Sequence, residues 1–269
     1  MMMKFFKYQA AGNDFVIVKE PTITSENAEN ICERHFGVGA DGVLIHFNSD
    51  SSDAGMKIFN SDGSTAQMCG NGLRCFVSYL VTDYGLGKNP LKIETGRGEL
   101  EVKWEKLRNG KLSVEANLGR PELKSEETVE FNNKNFDAYS VSMGNPHFVL
   151  FPSVKPDASE IHRITNHFQK NSSWNCEVNV EIVTDINKRS KSVFVIVKER
   201  GAGFTLSCGT GGGAVMHSLL QKNIVKPDER WKVFFPGGEI TYRINDRNEI
   251  IMSGVPEKVF EGMLDPAEF

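Results

Sequence analysis

Short runs of hydrophobic residues, separated by polar turns, follow one another along most of this chain, and this pattern predicts a protein rich in β-strands. The clearest run follows the turn signal at 108–110, where Leu112, Val114, Ala116 and Leu118 are apolar at every second position. The other predicted strands are 15–18, 43–47, 56–59, 91–94 and 100–104 in the first half, and 139–143, 148–151, 180–183, 193–197, 233–235 and 240–244 in the second.

Two stretches have helical periodicity instead, and each begins directly after a cysteine. After Cys69, apolar residues recur at intervals of three and four from Leu73 to Tyr84, and Gly85 stands where a helix cap is expected. After Cys208, small residues are followed by an apolar stretch from Ala214 to Leu220, which suits a helix enclosed by sheet. Two peripheral helices are predicted at 25–36 and 157–168.

The chain repeats three short blocks in the same order. The offsets between copies are 132, 139 and 140 residues, which coincidence among glycine-rich turns explains poorly. We therefore predict a duplicated domain, with residues 1–118 plus 255–269 forming one half and 119–254 the other. The paired blocks are Gly12-Asn13-Asp14-Phe15-Val16 with Gly144-Asn145-Pro146-His147-Phe148-Val149, Cys69-Gly70-Asn71-Gly72 with Cys208-Gly209-Thr210-Gly211, and Gly98-Glu99-Leu100 with Gly238-Glu239-Ile240.

The two Cys-Gly-x-Gly blocks contain the candidate catalytic groups, their cysteine thiols. A thiol at a helix start lies in the field of unpaired backbone N–H groups, which favours thiolate and binds anions. If the two halves face each other, a carboxylate in the interdomain cleft would accept hydrogen bonds from the N–H groups of Gly70, Asn71, Gly209 and Thr210. One cysteine would remove an α-proton and the other return one, so we expect a coupled pair and a bell-shaped pH profile.

Composition narrows the other function classes. The 269 residues carry a net charge of −4, and no Lys/Arg run alternates with aromatic residues, so a nucleic-acid partner is not expected. No signal peptide and no apolar run of membrane-spanning length is found, so the protein is expected in the cytoplasm, without a membrane partner. The five cysteines form an odd set without CxxC or zinc-site spacing, which predicts free thiols and no metal.

Eight motifs together resemble those of diaminopimelate epimerase, in family order across nearly the whole chain. The resemblance implies an α+β fold of two pseudo-symmetric, mostly antiparallel β domains, each wrapped around a central helix. It also implies a homodimer and a cofactor-independent epimerase that interconverts LL- and meso-diaminopimelate in lysine and peptidoglycan-precursor synthesis. The motifs are Gly12–Phe15, Gly37–Gly42, Phe59–Ser64, Met68–Gly72, Met143–His147, Asn179–Glu181, Glu199–Gly203 and Cys208–Gly211.

The same resemblance implies a role for each matching residue. Cys69 and Cys208 match the acid/base cysteines, and Arg200 matches the residue that holds the carboxylate of the non-reacting centre. His147 and Glu199 resemble polar neighbours of the thiols that assist proton transfer. The duplication adds a role for Glu199, which lies nine residues before Cys208 as Asn60 lies nine before Cys69, and there it would bind the substrate ammonium. The asparagines that match substrate contacts are Asn13, Asn60, Asn145 and Asn179.

One departure from the family pattern and two alternatives remain. Phe204 occupies a position where the family commonly has Glu, which leaves the hydrogen bonding around Cys208 in question. The same scaffold serves other cofactor-free racemases, such as those acting on histidine or proline, and a non-catalytic amino-acid-binding protein could also retain it. Arg200 together with Asn60 and Asn179 favours a substrate with a second carboxylate and ammonium.

Overall fold

The computed structural model describes residues 2–19, 23–170 and 174–265, and it confirms the predicted α+β class. The helices are α1 (Ser25–Cys32), α2 (Gly70–Thr82), α3 (Ala158–Lys170) and α4 (Gly209–Gln221). The strands are β1 (Met3–Ala10), β2 (Asn13–Val18), β3 (Gly42–Phe47), β4 (Ala54–Asn60), β5 (Thr65–Ala66), β6 (Leu91–Thr95), β7 (Gly98–Lys106), β8 (Leu112–Asn117), β9 (Glu122–Phe131), β10 (Lys134–Ser142), β11 (Pro146–Pro152), β12 (Asn179–Asn187), β13 (Ser192–Glu199), β14 (Gly203–Thr205), β15 (Trp231–Phe235), β16 (Gly238–Ile244), β17 (Ile250–Gly254) and β18 (Glu257–Leu264).

The chain divides into two compact units, Met1–Ala116 with Ser253–Phe269 and Asn117–Met252. The boundaries expected from the sequence differ from these by two residues at each junction. Of the predicted halves, residues 1, 20–22, 171–173 and 266–269 lie outside the described residues.

The first seven strands of each unit pair in the same order. In the first, the strands run β18-β1-β2-β3-β4-β6-β7-β8, and in the second they run β9-β10-β11-β12-β13-β15-β16. These pairs are antiparallel except β2 with β3, β4 with β6, β11 with β12, and β13 with β15. A parallel pair needs a crossover connection, and one helix lies in each of these four connections.

In the first unit, alternate residues of β3 serve two different helices. Val43 and Ile45 belong to the apolar cluster that covers α1, whereas the intervening side chains face α2. His46 packs edge-on against Phe76 of α2 at 5.6 Å, and burial lowers its pKa to about 4, so it is a neutral core residue. β3 is therefore covered by a helix on each face. The helix on the second face, α2, is buried from Gly70 to Leu80.

The second unit repeats this arrangement with α3 and α4. Phe148 of β11 and Val180 and Ile182 of β12 pack against α3 in one cluster, where they contact Ile164 and Phe168. The opposite side chains of these strands therefore face the other side of the sheet, where α4 packs against β11 and β12. Helix α4 is buried over most of its length, as its small and apolar residues predict.

Helix α1 is shorter than predicted, because it ends at Cys32 and not at residue 36. Glu33 adopts an extended conformation as the cap, and its carboxylate accepts hydrogen bonds from the backbone N–H groups of His35 and Phe36. Gly37 then folds back on the helix end, where a Cβ would lie 2.2 Å from the Asn30 carbonyl oxygen. The last turn of the expected helix is thus a loop that fits only glycine at its close.

A buried ion pair joins β1 to β2. The Lys7 ammonium is buried, lies 2.7 Å from Asp14 Oδ2, and donates a hydrogen bond to the Gly39 carbonyl. Burial alone would raise the pKa of Asp14, but hydrogen bonds and charge from Arg34 and Lys7 outweigh it and lower this pKa to about 2. The carboxylate is therefore what compensates the buried ammonium.

We expect Asp14→Asn to lower the free energy of unfolding at neutral pH by about 3–5 kcal/mol, because it leaves the Lys7 charge buried without its partner. The pKa of Asp14 is depressed in the folded state, so its stabilisation is complete above the unfolded value of about 4. It is lost as the pH falls through about 2. Urea unfolding at several pH values should show the two proteins converging in acid.

The matched control for that variant is Glu239→Gln, which removes the partner of Lys232 from an exposed ion pair. It should change the free energy of unfolding by less than about 1 kcal/mol. Equal losses in the two variants would contradict a special role for the buried pair.

Candidate active site

Cys69, the first of the two candidate catalytic thiols, is the N-cap residue of α2. Its backbone is extended, with φ −135° and ψ 122°, and its Sγ accepts a hydrogen bond from Gly72 N at 3.4 Å. Sulfur thus occupies the capping position in which serine or threonine oxygen is usual, and it receives an N–H group that the helix itself leaves unpaired.

Two asparagines surround this thiol. Cys69 Sγ lies 3.8 Å from Asn13 Oδ1, which also accepts from Asn71 Nδ2 at 3.3 Å. On its other side, the Asn13 amide donates to Asp41 Oδ2 at 2.7 Å, and the buried Arg74 guanidinium donates to Asn71 Oδ1. Each amide is therefore held by a charged group, and the oxygen of Asn13 is turned toward the thiol.

Asn60 lies apart from this cluster. It is exposed at the end of β4, where its amide donates to Ser64 Oγ at 2.9 Å. Within the described residues, no hydrogen bond links the Asn60 side chain to the other predicted site residues. Its nearest link is through the backbone, since the N–H of the next residue, Ser61, donates to the Asp41 carbonyl at 3.1 Å.

The second unit repeats this arrangement at the start of α4. Cys208 is the N-cap residue, with φ −129° and ψ 115°, and its Sγ accepts from Gly211 N at 3.3 Å. These values nearly equal those at Cys69. Cys208 Sγ is also 3.5 Å from Thr210 Oγ1, and unlike Cys69 it is almost completely buried.

A line of polar groups leads away from Cys208. Asn145 Nδ2 lies 3.4 Å from Thr210 Oγ1, and its Oδ1 lies 3.1 Å from His147 Nε2. The other ring nitrogen of His147 lies 2.7 Å from Glu181 Oε1, and both of these side chains are fully buried. Asn145 follows Gly144, which has φ +94°, as Asn13 follows Gly12 with φ +81°, so the same left-handed turn presents both asparagines.

Glu199 carries the second carboxylate near Cys208. Thr205 Oγ1 donates to Glu199 Oε1 at 2.5 Å, and Gln169 holds the backbone carbonyl of Glu199. Burial raises the pKa of Glu199, while hydrogen bonds from Thr205 and Cys208 act in the opposite direction. Burial, followed by the charges of Glu199 and Glu181, raises the pKa of Cys208 well above its ordinary value, so this sulfur is held as a thiol.

Asn179 and Arg200 meet at the end of β13. Asn179 Oδ1 accepts from Arg200 N at 2.9 Å, and Asn179 Nδ2 donates to the Pro146 carbonyl at 3.0 Å. Both ends of this amide therefore bind backbone, and they fix the Arg200 main chain. The Arg200 residue is exposed, and in the part of the chain that the structure describes its guanidinium forms no salt bridge.

Phe204, the departure from the family pattern, lies outside the polar line. Its ring packs 4.4 Å from the ring of His162 on α3, and the residue is 39% exposed. The adjacent Thr205 supplies the hydroxyl group that bonds Glu199. The Glu199 carboxylate therefore accepts its hydrogen bond from Thr205, the residue after Phe204 in β14.

Several side chains that contact the site were not among the residues predicted from the sequence. Glu181, Thr205 and Arg74 hold His147, Glu199 and Asn71 respectively. A signal for Glu181 exists in the sequence, because a carboxylate is unusual between Val180 and Ile182 of a buried strand. Thr205 and Arg74 carry no such signal.

The described residues contain neither a metal-binding cluster nor a membrane-spanning helix. Across 2–19, 23–170 and 174–265, no group of three His, Cys, Asp or Glu side chains is placed to hold a metal ion. None of the helices in this part of the chain is long and apolar enough to cross a membrane.

Comparison with known proteins places these features in a family. The model of the family described as diaminopimelate epimerase matches residues 5–124 and 139–259. The diaminopimelate epimerases of Desulfitobacterium hafniense and Carboxydothermus hydrogenoformans are 33% and 36% identical, over 97% of this chain and 98% of each relative. A crystal structure of a PhzF-family phenazine biosynthesis protein from Bacillus anthracis has a TM-score of 0.78 and 17% identity, covering 98% of this chain and 99% of that one.

Proposed function

We propose, because the chain belongs to the diaminopimelate epimerase family, that it is an isomerase that interconverts LL- and meso-2,6-diaminopimelate. The observation that carries the proposal is the pair of N-cap cysteines, which have matching backbone angles and matching N–H donors in two units of the same topology. A thiol beside an unpaired N–H group is suited to exchange a proton.

In the proposed reaction, the two sulfurs act on opposite faces of one α-carbon. A thiolate takes the α-proton, and the electron pair of the C–H bond is delocalised into the substrate carboxylate. The opposite thiol gives its proton to the other face, so the configuration inverts and the protonation states of the two sulfurs are exchanged. The raised pKa of Cys208 supports Cys208 as the acid and Cys69 as the base for one direction.

The helix starts would hold the negative charge that develops on the carboxylate. The backbone N–H groups of Gly70, Asn71, Gly209 and Thr210 belong to the first turns of α2 and α4, which leave such groups unpaired. Donors fixed by the backbone need no rearrangement as the charge forms. No cofactor is needed in this mechanism, because the thiols move the proton and the helix ends hold the charge.

The remaining predicted residues would recognise the substrate. Asn13 and Asn145 lie beside the two thiols and would orient the reacting centre, with His147 and Glu199 assisting at Cys208. Glu199 would also bind the ammonium group of that centre. Arg200, with Asn60 and Asn179, would bind the carboxylate and ammonium groups at the distal end of the substrate. The exposed Arg200 guanidinium suits this second carboxylate.

We also propose a homodimer in the cytoplasm. Val259, Phe260 and Met263 of β18 are large apolar residues that are 55%, 45% and 53% exposed, and a second copy of the chain would cover them. Cys69 and Cys208 are free thiols, and a reducing compartment keeps such groups active.

Incubation with LL-diaminopimelate in deuterated water under reducing conditions tests the function. We expect the meso form to accumulate to equilibrium, with deuterium at the inverted α-carbon because the returned proton comes from a thiol that exchanges with solvent. Proline and histidine enantiomers, tested in parallel, should show no exchange. Absence of deuterium uptake with diaminopimelate would overturn the proposal, and uptake with proline or histidine alone would indicate a related racemase.

A further inference from the structure

We propose that Glu181 is a positioning residue that holds His147 as an imidazolium, so that hydrogen bonds from His147 through Asn145 and Thr210 all point toward Cys208 Sγ. The inference rests on the proposed function, since it concerns the second thiol of that reaction. It assigns a task to a carboxylate that lies in the Asn179–Glu181 motif but to which the family resemblance gave no role.

The first step is the contact between Glu181 and His147. The two residues lie on the parallel strands β12 and β11, where His147 pairs with Asn179, two positions before Glu181. Glu181 Oε1 is 2.7 Å from His147 Nδ1, both side chains are fully buried, and Glu181 Oε2 has no hydrogen-bond partner among the described residues. A buried carboxylate with a single hydrogen bond needs that bond to come from a cation, which here is the imidazolium.

The second step is the direction of the hydrogen bonds beyond His147. His147 Nε2 faces Asn145 Oδ1 at 3.1 Å, and this oxygen can only accept, so Nε2 must carry a hydrogen. The Asn145 amide nitrogen then donates to Thr210 Oγ1 at 3.4 Å. Because Thr210 accepts there, its own hydrogen is available to Cys208 Sγ at 3.5 Å.

This direction of donation matters for the reaction. Burial and the charge of Glu199 raise the pKa of Cys208, which opposes loss of its proton. A hydroxyl group that donates to the sulfur stabilises the thiolate that remains when the proton has been given to the substrate. With a neutral imidazole, Nε2 could accept instead, the Asn145 amide could turn over, and the Thr210 hydrogen would be drawn away from the sulfur.

The internal repeat shows that packing alone does not require this ion pair. In the first unit, Phe15 and Leu44 occupy the places of His147 and Glu181 in the paired strands. A Cβ on Gly72 would lie 3.3 Å from Leu44 and 3.4 Å from Phe15, whereas one on the equivalent Gly211 would lie 2.5 Å from Glu181 Oε1. The same position beside the thiol-bearing helix is therefore apolar at Cys69 and charged at Cys208.

The repeat also supplies the test, because the first unit offers a pair of side chains that fit this place. The variants are Glu181→Gln and the double variant His147→Phe with Glu181→Leu, which copies Phe15 and Leu44. Replacing a buried ion pair by apolar residues is commonly neutral or stabilising, so the double variant is expected to remain folded in urea unfolding. The control is Asp185→Asn, the same chemical change as Glu181→Gln at an exposed position of β12.

For LL-diaminopimelate, we expect kcat to fall by about 10- to 100-fold in both variants, with KM changed less than about threefold, and no change in Asp185→Asn. A second readout does not depend on turnover. In the protein labelled with 15N histidine, both ring nitrogens of His147 should be protonated at neutral pH, and Glu181→Gln should leave one unprotonated; a His147→Phe sample assigns the signals.

Two results would overturn the inference. One is a folded double variant whose kcat stays within about threefold of the parent protein, and the other is an unprotonated ring nitrogen of His147 in the parent protein. If the parent protein itself fails to epimerise diaminopimelate, the proposed function fails, and the nitrogen signals still decide whether Glu181 holds the imidazolium.

Discussion

Replacement of either Cys69 or Cys208 by alanine is expected to lower kcat for epimerisation of LL-diaminopimelate by at least about a thousandfold, because a positioned acid or base alone supplies about 10²–10⁴ of the rate. Each variant retains one thiol, but inversion needs a proton removed on one face and another delivered on the opposite face. The loss should therefore be nearly the same for the two variants, and the double variant should be little worse than either.

Both variants should still fold and bind substrate. Alanine removes the sulfur that accepts from Gly72 N or Gly211 N, and loss of an N-cap acceptor costs about 0.5–2 kcal/mol. Thermal unfolding and calorimetric titration with diaminopimelate check these points. The matched control is Cys176→Ala, which alters an exposed free thiol and should keep full activity.

The result that contradicts the two-thiol mechanism is specific. If Cys69→Ala or Cys208→Ala still inverts the α-carbon at more than about one hundredth of the parent rate, one acid/base group is sufficient. Deuterium exchange without inversion in a single variant is a different outcome. It would keep the remaining thiol as the base and show that the missing one returns the proton.

The sequence predicted the inner layers of the fold well, and the reason is local. The helices that begin after Cys69 and Cys208 carry their apolar residues at helical spacing, and β3 is an almost continuous apolar run. These segments are buried on every side, so their side-chain pattern alone is sufficient to predict the secondary structure. The repeated blocks also predicted that the two units have equivalent folds, which the pattern of any single helix or strand does not show.

The strands that were not predicted lie where the local pattern is weak. β9, for example, is mostly exposed or half-exposed and contains the charged run Glu126-Glu127, and β18 carries exposed residues at four consecutive positions. Their pairing with β10 and β1 forms them, and in the case of β1 and β18 the partners are about 250 residues apart. The β-propensity of a short segment carries no information about a pairing strand so distant in sequence.

Some residues of the candidate site were also predicted from the sequence, and others depend on the tertiary structure. Asn13 and Asn145 were predicted from the family resemblance, and each also lies in a repeated block. The structure brings each into contact with residues around its thiol. Glu181 lies in the Asn179–Glu181 motif but was given no role, because its contact with His147 depends on the pairing of β11 with β12. Asn60 and Arg200 rest on the family resemblance, and they stay predictions until variants are measured.

The Arg200→Met variant is expected to lower kcat/KM for diaminopimelate by about 10²–10³, mainly by raising KM, because a charge-assisted bidentate pair with the distal carboxylate contributes about 2–4 kcal/mol. The substitution isolates the guanidinium. The backbone N–H of Arg200 remains bonded to Asn179 Oδ1, so the turn after β13 is retained. Arg200→Lys should recover only part of the affinity, since an ammonium cannot form the two parallel hydrogen bonds.

A substrate that lacks the distal carboxylate separates recognition from general damage. Lysine has the same chain as diaminopimelate without that group, so the parent protein should prefer diaminopimelate strongly, and the Arg200→Met variant should lose most of this preference. Arg189→Met, at an exposed position in the turn between β12 and β13, is the matched control and should change neither value. A KM for diaminopimelate within about threefold of the parent value in Arg200→Met would instead mean that another group binds the second carboxylate.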